Sequence, residues 1–379
     1  GLPYVYGCVL VTVIILIYTL RGGLRAVAWT DLFQGVVMFL LLAASLFIVA
    51  QHHGGFIEAN QKIFSMNPEL FSRPGGTGKY TYGIWFSFML LWFFCDPMFP
   101  QLFQRFFSAN KRSTIAHTMI FYPLICTLVF FLPISVGVLG HLSFPDLVGK
   151  EADKILPMTM TLISGDYMAA LVIAAGLAAL MSTMDSQLLT LSSIFTRDIM
   201  PLSKKFKGET SVSGRIFVIC LSIAGLLLAY KPPATILQIA TQTFTGLAVL
   251  FPTVIFGLYL KKVFPLAALL SIICGEGTML LFYFKLLAPG PFLPVIWVMA
   301  VTFGIYLVTH VALLGSTGKI VFKQPGWLGN RYVYLMGVIF ILGMDFWAWN
   351  KAQPLITGVP AWMGFFVLLS AVQTVGMVY

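Results

Sequence analysis

Long runs of apolar residues alternate with short polar segments along almost the whole chain. Several runs reach about 20 residues, the length at which an α-helix crosses a ~30 Å hydrocarbon layer, whereas a membrane strand needs only about 10 residues of alternating polarity. The pattern therefore predicts an all-α membrane protein with about eleven transmembrane helices. The predicted spans are residues 2–20, 29–50, 81–104, 115–140, 167–196, 214–230, 236–260, 264–286, 291–314, 331–350 and 358–378.

The composition also indicates a protein that is embedded in a lipid bilayer. Hydrophobic residues make up 59% of the 379 residues and charged residues only 9%, against about 25% charged residues in soluble domains. The net charge of +10 does not indicate nucleic-acid binding, because the basic residues lie in short loops, where a topology signal is expected. No nucleophile elbow, phosphate loop or zinc-ligand spacing occurs in the sequence, so nothing in it indicates an enzyme.

The distribution of lysine and arginine predicts how the chain crosses the membrane. If Gly1 lies outside, 15 of the 23 basic residues fall in loops on the inner side. Cytoplasmic loops show this positive bias. We therefore predict a multi-pass protein of the cell membrane whose N-terminal end in this chain is outside and whose C-terminal end is cytoplasmic. The inner set includes Lys204, Lys205, Lys207 and Lys319.

The span 167–196 is the one helix with a dense, ordered set of small and oxygen-bearing residues. Side chains three and four apart share a helix face and lean toward the N-terminus, so the hydroxyls of Ser182 and Thr183 lean toward the carbonyl of Ala179. Three such oxygens form half of a site for a small hard cation. The alternative is that both hydroxyls simply bond the carbonyl one turn back.

A polar stripe continues along the same helix toward its inner end. A charge near the bilayer centre costs about 2.5–3.5 kcal/mol on insertion scales, so Asp185 needs a partner or a wet cavity. Because the stripe is confined to the predicted cytoplasmic half, it indicates a wet exit path. Its members are Asp185, Ser186, Thr190, Ser193 and Arg197.

The stretch RGGLRAVAWTDLFQ, residues 21–34, joins the first two predicted spans. Gly22 and Gly23 permit a tight turn, and Asp31 and Gln34 share a face just inside the next helix. Asp31 is also in a position to interact with the dipole at the start of that helix.

The stretch CDPMFP, residues 95–100, places an acid and two prolines inside the third predicted span. Pro97 and Pro100 predict a broken or kinked helix, and transporters expose backbone groups to their substrates at such breaks. An ordinary proline kink in a packed helix is the alternative. We take Asp96, together with Gln101, Gln242 and Thr245, as candidates for the wall of a substrate cavity.

Taken together, three motifs resemble the sodium/solute symporter family, which includes proline, pantothenate and sodium/glucose symporters. Their order and separation agree with that family. The motifs are Gly22-Gly23-Leu24-Arg25-Ala26-Val27 with Trp29-Thr30-Asp31 and Gln34; Gln101 with Gln104-Arg105; and Ala178-Ala179-Leu180-Met181-Ser182-Thr183-Met184-Asp185-Ser186-Gln187-Leu188.

The resemblance implies a leucine-transporter-like core of ten helices in two inverted repeats, with alternating access to a central site. The chain is then a single transporter domain in which residues 1–260 hold core helices four to ten and residues 261–379 are peripheral. Core helices one to three are expected to precede Gly1, so that the chain is an N-terminally truncated fragment.

The resemblance also implies roles for individual residues. Ala179, Ser182 and Thr183 are similar to the eighth-helix half of the family's sodium site, and Asp31 to the acid on its inward sodium path. Gln101 falls near the substrate cavity, although Asp96-Pro97 and Pro100 depart from the pattern of the sugar carriers.

The expected function, as part of a longer chain, is the sodium-coupled symport of a small organic solute, with Na⁺ as the coupling ion and no cofactor. A solute-sensing membrane module that precedes a signalling domain beyond Tyr379 is the first alternative. An inactive truncated product is the second.

Overall fold

A computed structural model describes residues 4–76, 78–202, 210–315, 320–323 and 331–378 of the chain. Helices dominate these residues, and their one sheet is a two-stranded antiparallel hairpin. The predicted all-α class is therefore confirmed. Lys204, Lys205, Lys207 and Lys319, which were counted on the predicted inner side, lie outside the described residues.

Contacts within the chain define two compact units. The first comprises the described residues of Gly1–Ala59 and Val129–Thr235, and the second comprises Asn60–Leu128 and Ile236–Tyr379. The helices α2 (Phe56–Met66) and α5 (Arg112–Gly140) contribute residues to both units. The helices in the first half of the chain are α1 (Tyr4–His52), α2 (Phe56–Met66), α3 (Tyr82–Cys95), α4 (Pro100–Ser108), α5 (Arg112–Gly140), α6 (Ile155–Ile194) and α7 (Thr210–Tyr230).

Two glycines break the two longest helices of the first unit. Gly23 in α1 has φ 59° and ψ −165°, and Gly165 in α6 has φ 76° and ψ 178°. Glycine adopts such positive φ values without the penalty that a Cβ atom brings. The break at Gly23 separates the two predicted spans 2–20 and 29–50, as the paired glycines predicted.

α1 packs along α6 in the first unit. The small residues Ala169 and Ala175 of α6 are 3% and 0% exposed, and small residues let helix backbones approach closely inside a membrane. Ile15, Leu188 and Val218 form an apolar cluster in which α1, α6 and α7 meet. This packing brings the polar stripe of α6 next to α1.

The second unit contains the broken helix that the two prolines predicted. α3 ends at Cys95, a 3₁₀ turn covers Asp96–Met98, and the extended Phe99 precedes Pro100, which starts α4. The two helical segments are bent by 49°. Proline fits at a helix start because the first N–H groups have no partner within the helix.

The remaining elements of the second unit form paired helices and a hairpin. α10 packs along α11, and the buried Ser271 hydroxyl donates to the carbonyl of Thr302 at 2.9 Å. These elements are α8 (Ile236–Ala248), α9 (Leu250–Tyr259), α10 (Pro265–Tyr283), α11 (Pro294–Leu314), α12 (Arg331–Leu342), β1 (Leu355–Ile356), β2 (Val359–Pro360) and α13 (Ala361–Val378).

Helices overlap all eleven predicted spans, but the number of membrane-crossing helices depends on how broken and short helices are counted. Within the described residues, eight helices are long and apolar enough to cross a membrane, or nine if the bent pair α3 and α4 is one span. α1 counts once despite its break, and the apolar stretch of α13, Ala361–Met377, is shorter.

Two predicted boundaries differ from the structure. The span 331–350 is α-helical only to Leu342, and the span 358–378 begins in the hairpin. The connection 51–80 contains α2 and a 3₁₀ turn at Pro68–Phe71. Hydropathy alone does not distinguish an apolar turn from a helix, since both exclude charged residues.

Candidate functional site

The three oxygens predicted for a cation converge on one face of α6. The Ser182 hydroxyl donates to the Ala179 carbonyl at 3.0 Å, and the Thr183 hydroxyl donates to the same oxygen at 3.3 Å. These are the bonds that the back-bonding alternative requires. The hydroxyl oxygens keep lone pairs of their own, and the carbonyl lone pairs become available to a cation once the two hydroxyl hydrogens rotate away from them. The three oxygens lie close enough together to act as cation ligands after that rotation.

This face of α6 is accessible. Thr183 is exposed, and Ala179 and Ser182 are half-buried within the described part of the chain. Further oxygen ligands are therefore able to approach the three oxygens from the open side.

The proposed ion path lies where α6 meets the second segment of α1. Ser186 donates a hydrogen bond to the carboxylate of Asp31 at 3.2 Å, across 155 positions of sequence. Asp185, the neighbour of Ser186, is 0% exposed. The structure thus brings together Asp31, Asp185 and Ser186, which the sequence placed on two separate predicted spans.

Tyr18 is a member of this cluster that the sequence reasoning missed. Asp185 and Gln34 are the polar neighbours of its hydroxyl, although neither Tyr18 nor Asp185 makes a side-chain hydrogen bond of ordinary geometry with other described residues. Its spacing to Asp31 within α1 gives no signal, because the glycine break separates the two residues. A buried cluster of carboxylates and hydroxyls has a strong affinity for a cation or for protons.

The C-terminal end of the stripe opens into a cavity of about 460 Å³. Ser193 and Arg197, which the stripe predicted, line this cavity together with residues of α1 and α7. Thr190 is buried next to them on α6 at 4% exposure. The stripe therefore runs from a buried acidic cluster to a cavity that carries basic side chains.

The candidates for a substrate cavity fall into two groups in the second unit. Asp96 lies in the break between α3 and α4, where the Tyr122 hydroxyl donates to its carboxylate at 3.4 Å. Gln101 on α4 is 9% exposed, and its side-chain oxygen has no hydrogen-bond partner among the described residues. A buried unpaired amide oxygen at a helix break is able to accept a hydrogen bond from a ligand.

Gln242 and Thr245 lie on α8 and line a second, small cavity of about 50 Å³. Small-molecule sites usually measure about 300–1,000 Å³, so this cavity does not hold an organic solute in the observed conformation. Asp96 and Gln101 are not among its lining residues. Phe99, beside the first group, packs against Phe244 of α8, and their ring centroids are 5.2 Å apart.

A buried arginine in the second unit forms a cluster for which the sequence had no signal. Arg73, in the 51–80 connection, makes an ion pair with Asp345, and their side chains are 5% and 0% exposed. The rings of Trp85, Trp349 and Trp362 lie 4.8, 5.0 and 4.5 Å from its guanidinium carbon. Cation–π contacts of this kind stabilise a desolvated arginine by about 2 kcal/mol.

No group of three or more His, Cys, Asp or Glu side chains that could hold a metal ion occurs in the part of the chain that the structure describes. The cation candidates are therefore the hydroxyl and carbonyl oxygens of α6 and the acidic cluster beside them.

The chain is similar to known transport proteins over about three quarters of its length. The sodium:solute symporter family matches residues 1–275. The chain is 30% identical over 290 residues to the sodium/pantothenate symporter of Haemophilus influenzae. The aligned region covers 74% of this chain and 59% of that protein. It is 28% identical over 287 residues to the high-affinity proline transporter PutP of Bacillus subtilis. That alignment covers 74% of this chain and 60% of the transporter.

The sodium/pantothenate symporter of Escherichia coli is 29% identical to this chain over 286 residues. The alignment covers 73% of this chain and 58% of that symporter. The matched region thus spans less than two thirds of these relatives. All three are named as transporters, in agreement with the prediction that the chain is not an enzyme.

Proposed function

Because this chain belongs to the sodium:solute symporter family, we propose that it serves the sodium-coupled symport of a small organic solute by alternating access. The observation that carries the proposal is the convergence of one carbonyl and two hydroxyl oxygens on one face of α6. One sodium ion that enters at 100 mV supplies about 2.3 kcal/mol before any concentration gradient is counted. This energy is available to move a solute against its own gradient.

In the proposed mechanism, the Ala179 carbonyl and the hydroxyls of Ser182 and Thr183 form half of the sodium site. Na⁺ is a hard cation that prefers oxygen ligands. Both hydroxyls already bond the Ala179 carbonyl, so the three oxygens are held in place before the ion arrives. Pre-organised ligands lower the entropy cost of binding.

The inward sodium path continues to Asp31, Asp185 and Ser186. Ser186 links the two helices through its bond to Asp31, and two neighbouring carboxylates attract a cation that leaves the three-oxygen site. Removal of water makes this attraction stronger than it is in bulk solvent.

The solute is proposed to contact the break between α3 and α4. Asp96 and Gln101 are the first candidates there, and Gln242 and Thr245 are the second pair on α8. The observed cavity at the second pair is too small for a solute, so alternating access requires a rearrangement of this region.

The architecture proposed for this function is a leucine-transporter-like inverted repeat. Residues 1–260 then belong to the core and residues 261–379 are peripheral, and the C-terminal end of this chain is cytoplasmic. The inside excess of basic residues and the motif order support this assignment.

The test is the double substitution Ser182→Ala and Thr183→Ala. Each hydroxyl that contacts a charged group contributes about 1.5 kcal/mol or more, so the loss of both is expected to raise the sodium concentration for half-maximal uptake roughly a hundredfold or more. The measurement is uptake of labelled proline and pantothenate by proteoliposomes over a range of Na⁺ concentrations, with K⁺ as the replacement ion.

Thr161→Ala is the matched control. Thr161 also lies on α6, and its hydroxyl bonds the carbonyl of Pro157 at 2.9 Å. Its removal is expected to leave the sodium requirement unchanged. An unchanged sodium requirement in the double variant would show that the hydroxyls of Ser182 and Thr183 only bond the Ala179 carbonyl and do not bind sodium.

A further inference from the structure

The cavity at the inner end of the polar stripe has a composition that a sodium path does not require. It measures about 460 Å³ and is lined by residues from three elements of the first unit. Arg21 comes from the end of the first segment of α1, Arg197 from the turn after α6 and Arg215 from the start of α7. Three arginine residues therefore line one cavity.

Hydroxyl groups complete the lining. Thr19, Ser192, Ser193 and Thr196 all face the cavity, and no Asp or Glu is among its lining residues in the described part of the chain. Thr19 is 3% exposed, and its hydroxyl has no hydrogen-bond partner among the described residues. An unpaired buried hydroxyl is costly unless a ligand or water completes its bonds.

Electrostatics decides which ligand fits. The three arginines are exposed, and three positive groups around one cavity repel each other and repel Na⁺, most strongly at low ionic strength. An anion removes this repulsion. Arginine binds the oxygens of phosphate and carboxylate through two parallel hydrogen bonds, and hydroxyls donate to the remaining oxygens.

We propose that this cavity is a binding site for a phosphate-bearing anion. Its guanidinium groups bind the phosphate oxygens, and the hydroxyls of Thr19 and Ser193 donate further hydrogen bonds. The phosphate comes either from a lipid headgroup at the membrane surface or from a free phosphate compound. The proposal is independent of the sodium site, which lies on the preceding turns of α6.

The first measurement is thermal unfolding of the purified full chain in a neutral detergent. Inorganic phosphate is compared with chloride at equal ionic strength, and phosphatidylglycerol is compared with phosphatidylcholine of the same acyl chains. Stabilisation by phosphatidylglycerol alone identifies a lipid headgroup as the source. Stabilisation by inorganic phosphate as well identifies a site that accepts free phosphate.

Arg197→Gln and Arg215→Gln test the site itself. Loss of one charge-assisted pair is expected to weaken the apparent affinity roughly tenfold or more. Without added anion, the variant that combines Arg197→Gln with Arg215→Gln is expected to be at least as stable as the native protein, because the repulsion between guanidinium groups is reduced. This second readout distinguishes loss of binding from loss of folding.

Arg112→Gln is the matched control, since Arg112 is an exposed arginine at the start of α5 and does not line the cavity. Arg197→Lys keeps the charge but not the planar fork, so its affinity is expected to lie between those of the native protein and Arg197→Gln. The proposal is overturned if neither phosphate nor phosphatidylglycerol stabilises the protein above its control. It is equally overturned if the glutamine variants respond like the native protein.

Discussion

Asp185 combines a proposed role in the sodium path with an expected cost in stability. It is 0% exposed, and Asp31 lies close enough to act on it electrostatically. A buried carboxylate beside a second carboxylate is costly unless a cation or proton compensates it. A sodium ion on the proposed path supplies this compensation when it passes.

Asp185→Asn is therefore expected to have opposite effects on stability and on sodium dependence. The amide keeps the shape of the side chain and removes a buried charge, so the free energy of unfolding should rise by about 1 kcal/mol or more. The sodium concentration for half-maximal uptake should rise as well, because the path loses a carboxylate. Thermal unfolding and sodium-dependent uptake measure the two effects, and a loss of stability with unchanged uptake contradicts this role.

Arg73 provides a second residue-scale test, because its partner is fully buried. Substitution of Arg73 by Ala leaves Asp345 as an uncompensated buried charge, which costs about 3–5 kcal/mol. Asp345→Asn in the Arg73→Ala background is expected to recover part of this loss. Thermal unfolding of the single and double variants measures the coupling.

The exposed pair Lys154 and Glu151 is the control for Arg73. Its side chains are 59% and 60% exposed, so Lys154→Ala is expected to cost at most about 0.5 kcal/mol. An equal decrease in the free energy of unfolding for Lys154→Ala and Arg73→Ala would show that burial does not set the strength of the Arg73 interaction.

At the scale of elements, the break between α3 and α4 is the feature that the local sequence predicted best. Pro97 and Pro100 act within their own turns, through a missing N–H and a ring that clashes with the preceding carbonyl. The glycine break in α1 follows from the same kind of local rule. Such breaks need no information about distant residues.

Replacement of Pro97 and Pro100 by Ala is expected to straighten this element. If the 49° bend is lost, the distance between spin labels at Tyr82 and Ser108 should increase by roughly 3 Å, given a rise of about 1.5 Å per helical residue. Solute uptake should fall, because the break is the proposed contact region. An unchanged label distance would show that tertiary packing, rather than the prolines, maintains the bend.

The sequence did not predict which residues of different helices pack against each other. Arg73 and Asp345 are 272 positions apart, and Ser186 and Asp31 are 155 positions apart. Helix periodicity relates residues only within a few turns, so it identified each polar face but not its partner. Tyr18 was missed for this reason.

At the scale of the whole molecule, the orientation in the membrane is open to a direct test. In a variant without its native cysteines, a cysteine in place of Lys351 is expected to react with an impermeant thiol reagent from outside intact cells. A cysteine in place of Lys262 is expected to react only after the membrane is permeabilised. The reverse labelling pattern would contradict the orientation predicted from the basic residues.

The sequence by itself determined the helical membrane class, the family resemblance and the local chemistry of single helices. These properties depend on hydropathy, on residue spacing within a turn and on the backbone preferences of glycine and proline. Ser182 and Thr183 could therefore be placed beside the Ala179 carbonyl from the sequence alone.

Only the tertiary structure decided which polar groups meet. It joined Asp31 to Ser186, surrounded Arg73 with tryptophans, and collected three arginines around one cavity. It also showed that the cavity at Gln242 and Thr245 is small. These features depend on close packing between distant segments, where a shift of a few ångströms decides whether a buried charge is compensated.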